Sequence, residues 1–589
     1  GKTACYLAPA LSWVERNGHG LWLSTYTKAL QGQLSDALSL AFPDPEQRAE
    51  RVAIRKGREN YLCLLNVDEA ATRRRLIGGP EVVALGLVAR WAEFTRDGDV
   101  MSGDFPSWAW PMPGFPAQLT LRNGECVYAA CPHYRKCFVE KSVRRARRSP
   151  IVIANHALVM AEAARNQGGP GSPVRYVLDE GHHLFDAADN TFAIHVTGRE
   201  GHEMRRWLRG PETRAHRRGR GLADRLGDLL SDLPEANEWA LEAVELARDL
   251  SGDGWHQRVT QGAPNGAWEK FLAAVLAQIS ARAQDPGSPY GAECEPRPLT
   301  EAVARSAEQL NKALGRIMEP LAALANALRK ALEEKAEEWD SSDRIRANAL
   351  AQGLERRAHL ILPAWRSALA SLPHETPPAF ADWFGVSRQD GRNADIGFYR
   401  HWVDPSLPLA QEVLQPVQGV LITSATLNDR PEKMFSGDAP ELWGYAQART
   451  GVAHLKSPVI KAAFPSPFDY AAQTRVIVVN DIDRADDGQL AGATRGLFEV
   501  AGGGALGLFT SIRALRAVHA RIVEPLSLAG LTVYAQHVDG LDTGTLVELF
   551  RDEEDACLLG TDALRDGVDV PGSALRLVVF DRVPWSRPD

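Results

Sequence analysis

Cysteine is scarce in this chain, with seven among 589 residues. So small and odd a number argues against a disulfide framework, and thiols that cluster in a reducing compartment usually bind metal. Long apolar runs are missing too. No window of about 20 residues is both apolar and free of charge, and no basic-then-apolar leader opens the chain, so neither a membrane span nor a signal peptide is read and the protein is expected to be cytoplasmic. Net positive charge is lacking, at −8, which removes any global attraction to nucleic acid. No repeat of roughly 20–50 residues suggests a solenoid. The length exceeds one hydrophobic core and implies roughly three or four domains.

Local features stand against that background. Basic runs occur at "KSVRRARRS" (141–149) and "MRRWLRGPETRAHRRGR" (204–220), although runs of this kind are most often solvated faces. The chain starts at "GKTACYL" without an initiator methionine and stops at "DRVPWSRPD", and it reads as a fragment. Gly1, Lys2 and Thr3 are the tail of a G-x-x-x-x-G-K-[ST] loop running into a helix. In such loops backbone amides cradle phosphates, the lysine reaches the β/γ-phosphates and the hydroxyl ligates Mg²⁺. The tripeptide is weak evidence by itself. Its partner is "VRYVLDEGHHLF" (174–185), a short buried strand with Asp179 and Glu180 at its carboxyl end, where open α/β sheets bind ligands. Asp179 suits the Mg²⁺ shell and Glu180 suits the water-activating base.

Other stretches repeat the pattern of a strand ending in hydroxyls. "GLWLSTYTKALQGQL" (20–34) ends its strand in "STYT", which suits phosphate-backbone contacts and includes Thr25; "GVLITSATL" (419–427) ends in Ser424, Ala425 and Thr426. "GALGLFTSIRAL" (504–515) carries Thr510, and "CLLGTDALRDGVDVPG" (557–572) sets Thr561 ahead of Asp569. Between them, residues 195 to about 400 show no strand signal, and "LTEAVARSAEQLNKALGRIMEPLAALANALRKALEEKAEEW" (299–339) reads as a long amphipathic helix or helix pair.

Four cysteines, Cys63, Cys126, Cys131 and Cys137, form C-x62-C-x4-C-x5-C between the GKT and the DEGH. Four thiolates satisfy either a tetrahedral zinc or a [4Fe–4S] cluster, and spacing does not choose, although zinc favours tighter C-x2-C knuckles. Cys5, Cys294 and Cys557 lie in apolar or isolated contexts and are expected to be inert. "SWAWPMPGF", with Trp108, Trp110 and Phe115, is expected to pack around the site rather than to stack on bases, and so is Tyr61. Arg58, Arg144, Arg145 and Arg148 flank the cysteines and are candidates to face a phosphate backbone.

Taken together, these motifs resemble those of superfamily 2 helicases, and within them the iron–sulfur DinG/XPD group. "STYT" is similar to motif Ia, "DEGH" to motif II, "TSAT" to motif III, "FTSIRAL" to motif IV and "GTDALRDGVDVPG" to motif V. "KGRENYLC", "NHALVM", "SPFDY" and "GVLITSATL" bring the chain nearer to bacterial DinG than to XPD. Gly181 stands where this family usually has alanine, and the glycines of motif I and all of motif VI, with its arginine finger, lie outside the sequence, so that no duplex unwinding is expected of these residues alone.

The resemblance implies an α/β fold of two RecA-like parallel-sheet domains with an iron–sulfur cluster insertion and a helical arch insertion. The expected boundaries are 1–55, 148–194 and 401–430 for the first RecA-like domain, 56–147 for the cluster insertion, 195–400 for the arch and 431–589 for an incomplete second RecA-like domain. It implies ATP, Mg²⁺ and a [4Fe–4S] cluster as cofactors. Nucleotide would be held by Gly1, Lys2, Thr3, Asp179, His182, Gly567 and Asp569, with Asp179 and Glu180 catalytic. Thr25, Arg58, Arg144, Arg145, Thr510 and Thr561 would touch nucleic acid. The implied activity is 5′-to-3′ translocation on single-stranded DNA in repair or replication, by a monomer acting on tailed, forked or R-loop substrates. A rival from another class is a nucleic-acid-binding or redox-sensing module holding iron–sulfur or zinc on a degenerate ATPase core. An RNA-directed helicase differs from the first reading only in contacts to the 2′-hydroxyl.

Overall fold

A computed structural model describes the chain except residues 1, 19, 75–79, 101–103, 107–118, 122–125, 127–130, 166–173, 211–220, 231–232, 289–290, 336, 390, 428–442, 467, 562–563, 566–567 and 584–589. Gly1, Trp108, Trp110, Phe115 and Gly567 therefore lie outside the described residues. The strands in chain order are β1 (Leu21–Thr25), β2 (Val52–Ile54), β3 (Ile151–Asn155), β4 (Arg175–Asp179), β5 (Ile194–Thr197), β6 (Gly291–Cys294) and β7 (Phe380–Gln389). They continue with β8 (Arg392–Trp402), β9 (Gly419–Thr423), β10 (Ala505–Leu508), β11 (Val533–Ala535), β12 (Cys557–Gly560) and β13 (Leu577–Phe580).

Three sheets organise them. The first has the order β2-β3-β1-β4-β9 and the second β11-β12-β10-β13, and every pairing in both is parallel. The fold is thus α/β, as expected. Central strands of such sheets are covered on both faces, which is why β1, "LWLST", and β12, "CLLG", are buried at every position rather than alternating. β9 pairs with β4 in a register that sets Thr423 opposite Asp179. Two segments far apart in sequence thereby end side by side at the carboxyl edge of one sheet.

Residues 195 to 400 differ from the strand-free expectation. Helices dominate, and the helix Glu301–Glu334 buries Val303, Leu310, Leu314, Ile317, Leu321, Leu324 and Leu328 along one stripe after its Thr300 N-cap. The region also contains an antiparallel sheet of order β5-β8-β7-β6. Its centre is the β7/β8 hairpin, whose turn includes Gly391 at φ +73°. Asp390-Gly391 is a turn signal that suits a two-residue hairpin. The alternation of "FADWFGVSRQ" was obscured because Ala381 and Asp382 sit among the aromatics, and Asp382 is drawn inward by Arg400, whose Nε and Nη2 donate to its two oxygens at 2.7 and 2.8 Å.

The second sheet carries its own core, with Phe498, Leu515, Val518, Ile522 and Cys557 on one side and Leu546, Phe550 and Leu558 on the other. Among the described residues no helix is long and apolar enough to cross a membrane.

Candidate functional site

The helix α1 (Lys2–Asn17) and the carboxyl end of β4 meet at the first sheet. Lys2 Nζ lies 2.9 Å from Asp179 Oδ1 and 2.5 Å from Glu180 Oε1. Burial alone would lower the Lys2 pKa, but its hydrogen bonds to Glu180 and Asp179 more than reverse this and the net shift is upward, so the ammonium is held charged. Asp179 is buried, and its Oδ1 also accepts the Glu180 backbone N–H at 3.0 Å. Glu180 has φ 56° and ψ 48°, a left-handed conformation uncommon for a residue with a Cβ, which turns the chain sharply at the strand end. Strain of this kind gathers where side chains must be aimed.

Gly181 follows, and its identity has a steric cause. A Cβ built there would sit 2.4 Å from Ile422 Cγ2 on β9 and 3.6 Å from the Thr423 carbonyl. The absent side chain lets β9 lie close, and that closeness lets His182 Nδ1 reach Ser424 Oγ at 2.7 Å. His182 also stands 3.5 Å from Glu180 Oε2. Four elements of the sequence reading, the GKT, the DEGH, the strand before TSAT and Ser424, thus converge on one edge.

The "STYT" hydroxyls are placed otherwise than expected. Ser24 Oγ pairs with the buried His156 Nδ1 at 2.8 Å. Thr27 Oγ1 caps the helix α2 (Lys28–Ala41) by accepting the Leu30 N–H. Thr25 is fully buried, and its hydroxyl has no hydrogen-bond partner among the described residues. As the last residue of a central strand it faces the core, so it offers nothing to a phosphate in this conformation. The exposed member is Tyr26, whose ring stacks on His183 with centroids 3.8 Å apart.

On the second sheet, Thr510 follows β10, donates to Asp581 Oδ2 at 2.8 Å and accepts from Arg582 Nε at 2.8 Å. Thr561 follows β12 and donates to Gln536 Oε1 at 3.0 Å. Asp569 is exposed in the loop beyond.

The cysteines gather around a small core of Tyr61, Leu62, Leu85, Val88, Leu119 and Phe138, against which Cys63, Cys126 and Cys137 pack. Tyr61 is buried there, its hydroxyl shared with Ser142 Oγ at 3.1 Å, so packing is its use. Cys131 opens a turn that ends at Cys137, through Tyr134 N to Cys131 O at 2.9 Å and Cys137 N to Tyr134 O at 3.3 Å. Burial, with the neighbouring Cys126 adding to it, pushes the Cys137 thiol up. Four half-buried thiols, three of them packed on one small core, are the donor set a soft metal centre takes. Among the described residues, however, no three His, Cys, Asp or Glu side chains are grouped closely enough to hold a metal ion. Of the remaining cysteines, Cys557 is buried with its thiol raised to about 12 by burial, Cys294 is half-buried, and Cys5 is exposed.

The flanking cations divide. Arg58 is half-buried in the turn Arg58–Asn60. Arg145, on the helix Phe138–Arg148, is turned to the protein, donating to the Ala49 carbonyl at 3.1 Å and the Val52 carbonyl at 2.8 Å. Arg144 donates to Glu140 O at 3.1 Å and lies over the Tyr134 ring, while Arg147 and Arg148 are exposed. In the second basic run, Arg205 and Arg209 donate to the carbonyls of Arg248, Leu250 and Val244. Those two cations tie their own helix to the backbone of residues 244–250 rather than forming a solvated face.

Sequence reasoning missed Tyr6 and His156. Tyr6 lies one helical turn after Thr3 and therefore on the same face of α1, a signal that could have flagged it.

Comparison with known proteins agrees with the motif reading. A family model described as "Helicase C-terminal domain" matches residues 494–589. The chain is 25% identical to the ATP-dependent DNA helicase YoaA of Escherichia coli, over 100% of this chain and 78% of the relative. It is 26% identical to the ATP-dependent helicase DinG of Mycobacterium tuberculosis over 100% and 78%. It is 24% identical to a Bacillus subtilis protein named 3′-5′ exonuclease DinG over 100% and 59%, so it spans little more than half of that relative. Among solved structures, an XPD helicase matches at 11% identity with a TM-score of 0.35, over 100% of this chain and 86% of that one, too loose a likeness to carry an argument. The resemblance to the DinG group is borne out along the whole chain.

Proposed function

We propose that this relative of the DinG and YoaA proteins works as an ATP-driven DNA helicase, with its phosphate site at the junction of α1 and β4. One observation carries the reading: Lys2, Asp179 and Glu180 converge within hydrogen-bond distance, beside a His182–Ser424 bond that ties them to β9. A scaffold has no need to keep a phosphate lysine, a metal-shell carboxylate and a base together, which disfavours the binding-module alternative.

The chemistry follows from the geometry. Lys2 is the counter-ion of both carboxylates. Entry of the β/γ-phosphates draws the ammonium away to them and releases Asp179 and Glu180 for their own tasks. Mg²⁺, when bound, supplies charge neutralisation at the phosphate oxygens, and Asp179 and Thr3 are the residues that would hold it. Glu180, freed of its cation and aimed by the left-handed turn, takes the proton of the attacking water. His182 links Glu180 to Ser424 and so joins the base to the segment after β9.

In this reading residues 1–55, 148–194 and 401–430 make the first RecA-like domain and 431–589 belong to the second. Residues 195–400 make the arch, and Cys63, Cys126, Cys131 and Cys137 in 56–147 would hold a [4Fe–4S] cluster. Such a cluster supplies a rigid cross-link between chain positions far apart in sequence. Single-stranded DNA is the track, and 5′-to-3′ movement follows the resemblance.

The test is ATP turnover by the full protein with and without single-stranded DNA. Stimulation of at least about tenfold supports a motor, and turnover indifferent to DNA overturns it.

A further inference from the structure

Tyr6 has no assigned part in the scheme above, yet it touches the carboxylate at the end of β4. It is 5% exposed, and its hydroxyl donates to Asp179 Oδ2 at 2.8 Å across 173 residues of sequence. One turn earlier on the same face of α1, the Thr3 side chain neighbours the phenol. Asp179 therefore has its two oxygens engaged differently. Oδ1 takes Lys2 and the Glu180 N–H, while Oδ2 takes Tyr6.

We propose that Tyr6 is a positioning residue that locks the Asp179 carboxylate in one orientation, so that it is ready for a divalent cation before it arrives. The inference rests on the nucleotide-site reading and deepens it. When Lys2 leaves for the phosphates, Asp179 loses a charged partner from Oδ1 and would be free to rotate about its Cα–Cβ and Cβ–Cγ bonds. The bond to Oδ2 survives that departure. Its donor is on a ring with only two side-chain torsions, buried against Leu7 and Leu23 in the core under the sheet, so little entropy is left to lose on binding. A phenylalanine would keep the ring and release the carboxylate.

Tyr6→Phe and Tyr6→Leu in the full protein test this, read by affinity for a fluorescent ADP analogue in EDTA and across a Mg²⁺ titration. Affinity in EDTA should be unchanged, while the Mg²⁺ concentration at half-maximal enhancement should rise about tenfold in both variants, as expected for one lost hydrogen bond to a charged group. Turnover at saturating Mg²⁺ should fall far less than at limiting Mg²⁺. A parental Mg²⁺ midpoint in Tyr6→Phe overturns the inference, and so does a shift confined to Tyr6→Leu, which would assign the effect to ring packing. Glu180→Gln run beside them separates the two levels. If it leaves turnover intact, the nucleotide-site reading fails; if it abolishes turnover while Tyr6→Phe behaves as the parent, only the role of Tyr6 fails.

Discussion

Gly181→Ala is the smallest change that probes how closely β9 lies against the turn after β4. The new methyl would begin 2.4 Å from Ile422 Cγ2, against an ordinary carbon–carbon contact of about 3.5–4.0 Å, so one group must retreat by about 1 Å. Neither is free to do so cheaply. Ile422 Cγ2 is fixed directly to a branched Cβ in a paired strand, and the Thr423 carbonyl at 3.6 Å closes the other side. Overpacking of this sort costs about 1–3 kcal/mol. The retreat also stretches the neighbouring His182–Ser424 bond, 2.7 Å in the parent, out of range, adding about 1 kcal/mol. The expected loss is about 2–4 kcal/mol in urea unfolding of the domain. Turnover should fall at least about tenfold, because a shift of about 1 Å in a catalytic group can cost up to about 10²-fold. Ile422→Ala removes the opposing methyl, so the double variant should be more stable than the sum of the single effects by about 1–2 kcal/mol. A Gly181→Ala protein as stable and as active as the parent would refute the reasoning, and so would strict additivity in the cycle.

Three further outcomes are expected. Glu180→Gln should bind Mg·ATP nearly as the parent does and lose at least about 10² in turnover, measured as steady-state phosphate release, because position survives and proton acceptance does not. Cys131→Ser should remove the iron and the brown absorption of anaerobically purified protein while Cys294→Ser changes neither; one zinc and no iron in the parent would defeat the cluster assignment. His195 has its pKa lowered to about 4, first by burial and then by His401, whose Nε2 lies 3.0 Å away. The unfolded chain takes up that proton near pH 6.5 and the folded one only near 4, so this contribution is complete above pH 6.5 and is lost as pH falls toward 4. Partial exposure limits it to roughly 1–2 kcal/mol, which His195→Gln should remove from the difference between urea unfolding at pH 7 and pH 4.5.

What could be read from the sequence was whatever the chain writes locally. Buried parallel strands are continuous apolar runs, and their carboxyl ends are marked by "DEGH" and "TSAT", so the edge bearing Asp179, Glu180 and Ser424 was legible. The helix Glu301–Glu334 was legible from its stripe. Side-chain direction was not. That Thr25 points into the core while Tyr26 is exposed depends on which strands flank β1, and that Arg145 reaches two carbonyls depends on where β2 lies. Tyr6 meets Asp179 only because α1 packs under β4. The β7/β8 hairpin was hidden by a buried Arg400–Asp382 pair that reads as surface charge.

The pairing of β4 with β9 has a consequence for how the protein reaches its native state. His182 and Ser424 are 242 residues apart in the chain, yet they touch, and everything between them leaves and re-enters through neighbouring strands. Closing so long a loop costs only a little more free energy than closing a short one, since the entropy grows with the logarithm of length. The time needed is another matter, because contacts this distant form late. On the ribosome, β1 to β4 emerge and can associate long before residues 419–423 exist. The first sheet must therefore wait, its β4 edge open, until the whole intervening region has been made and has collapsed, and the Ser424 contact is assembled last.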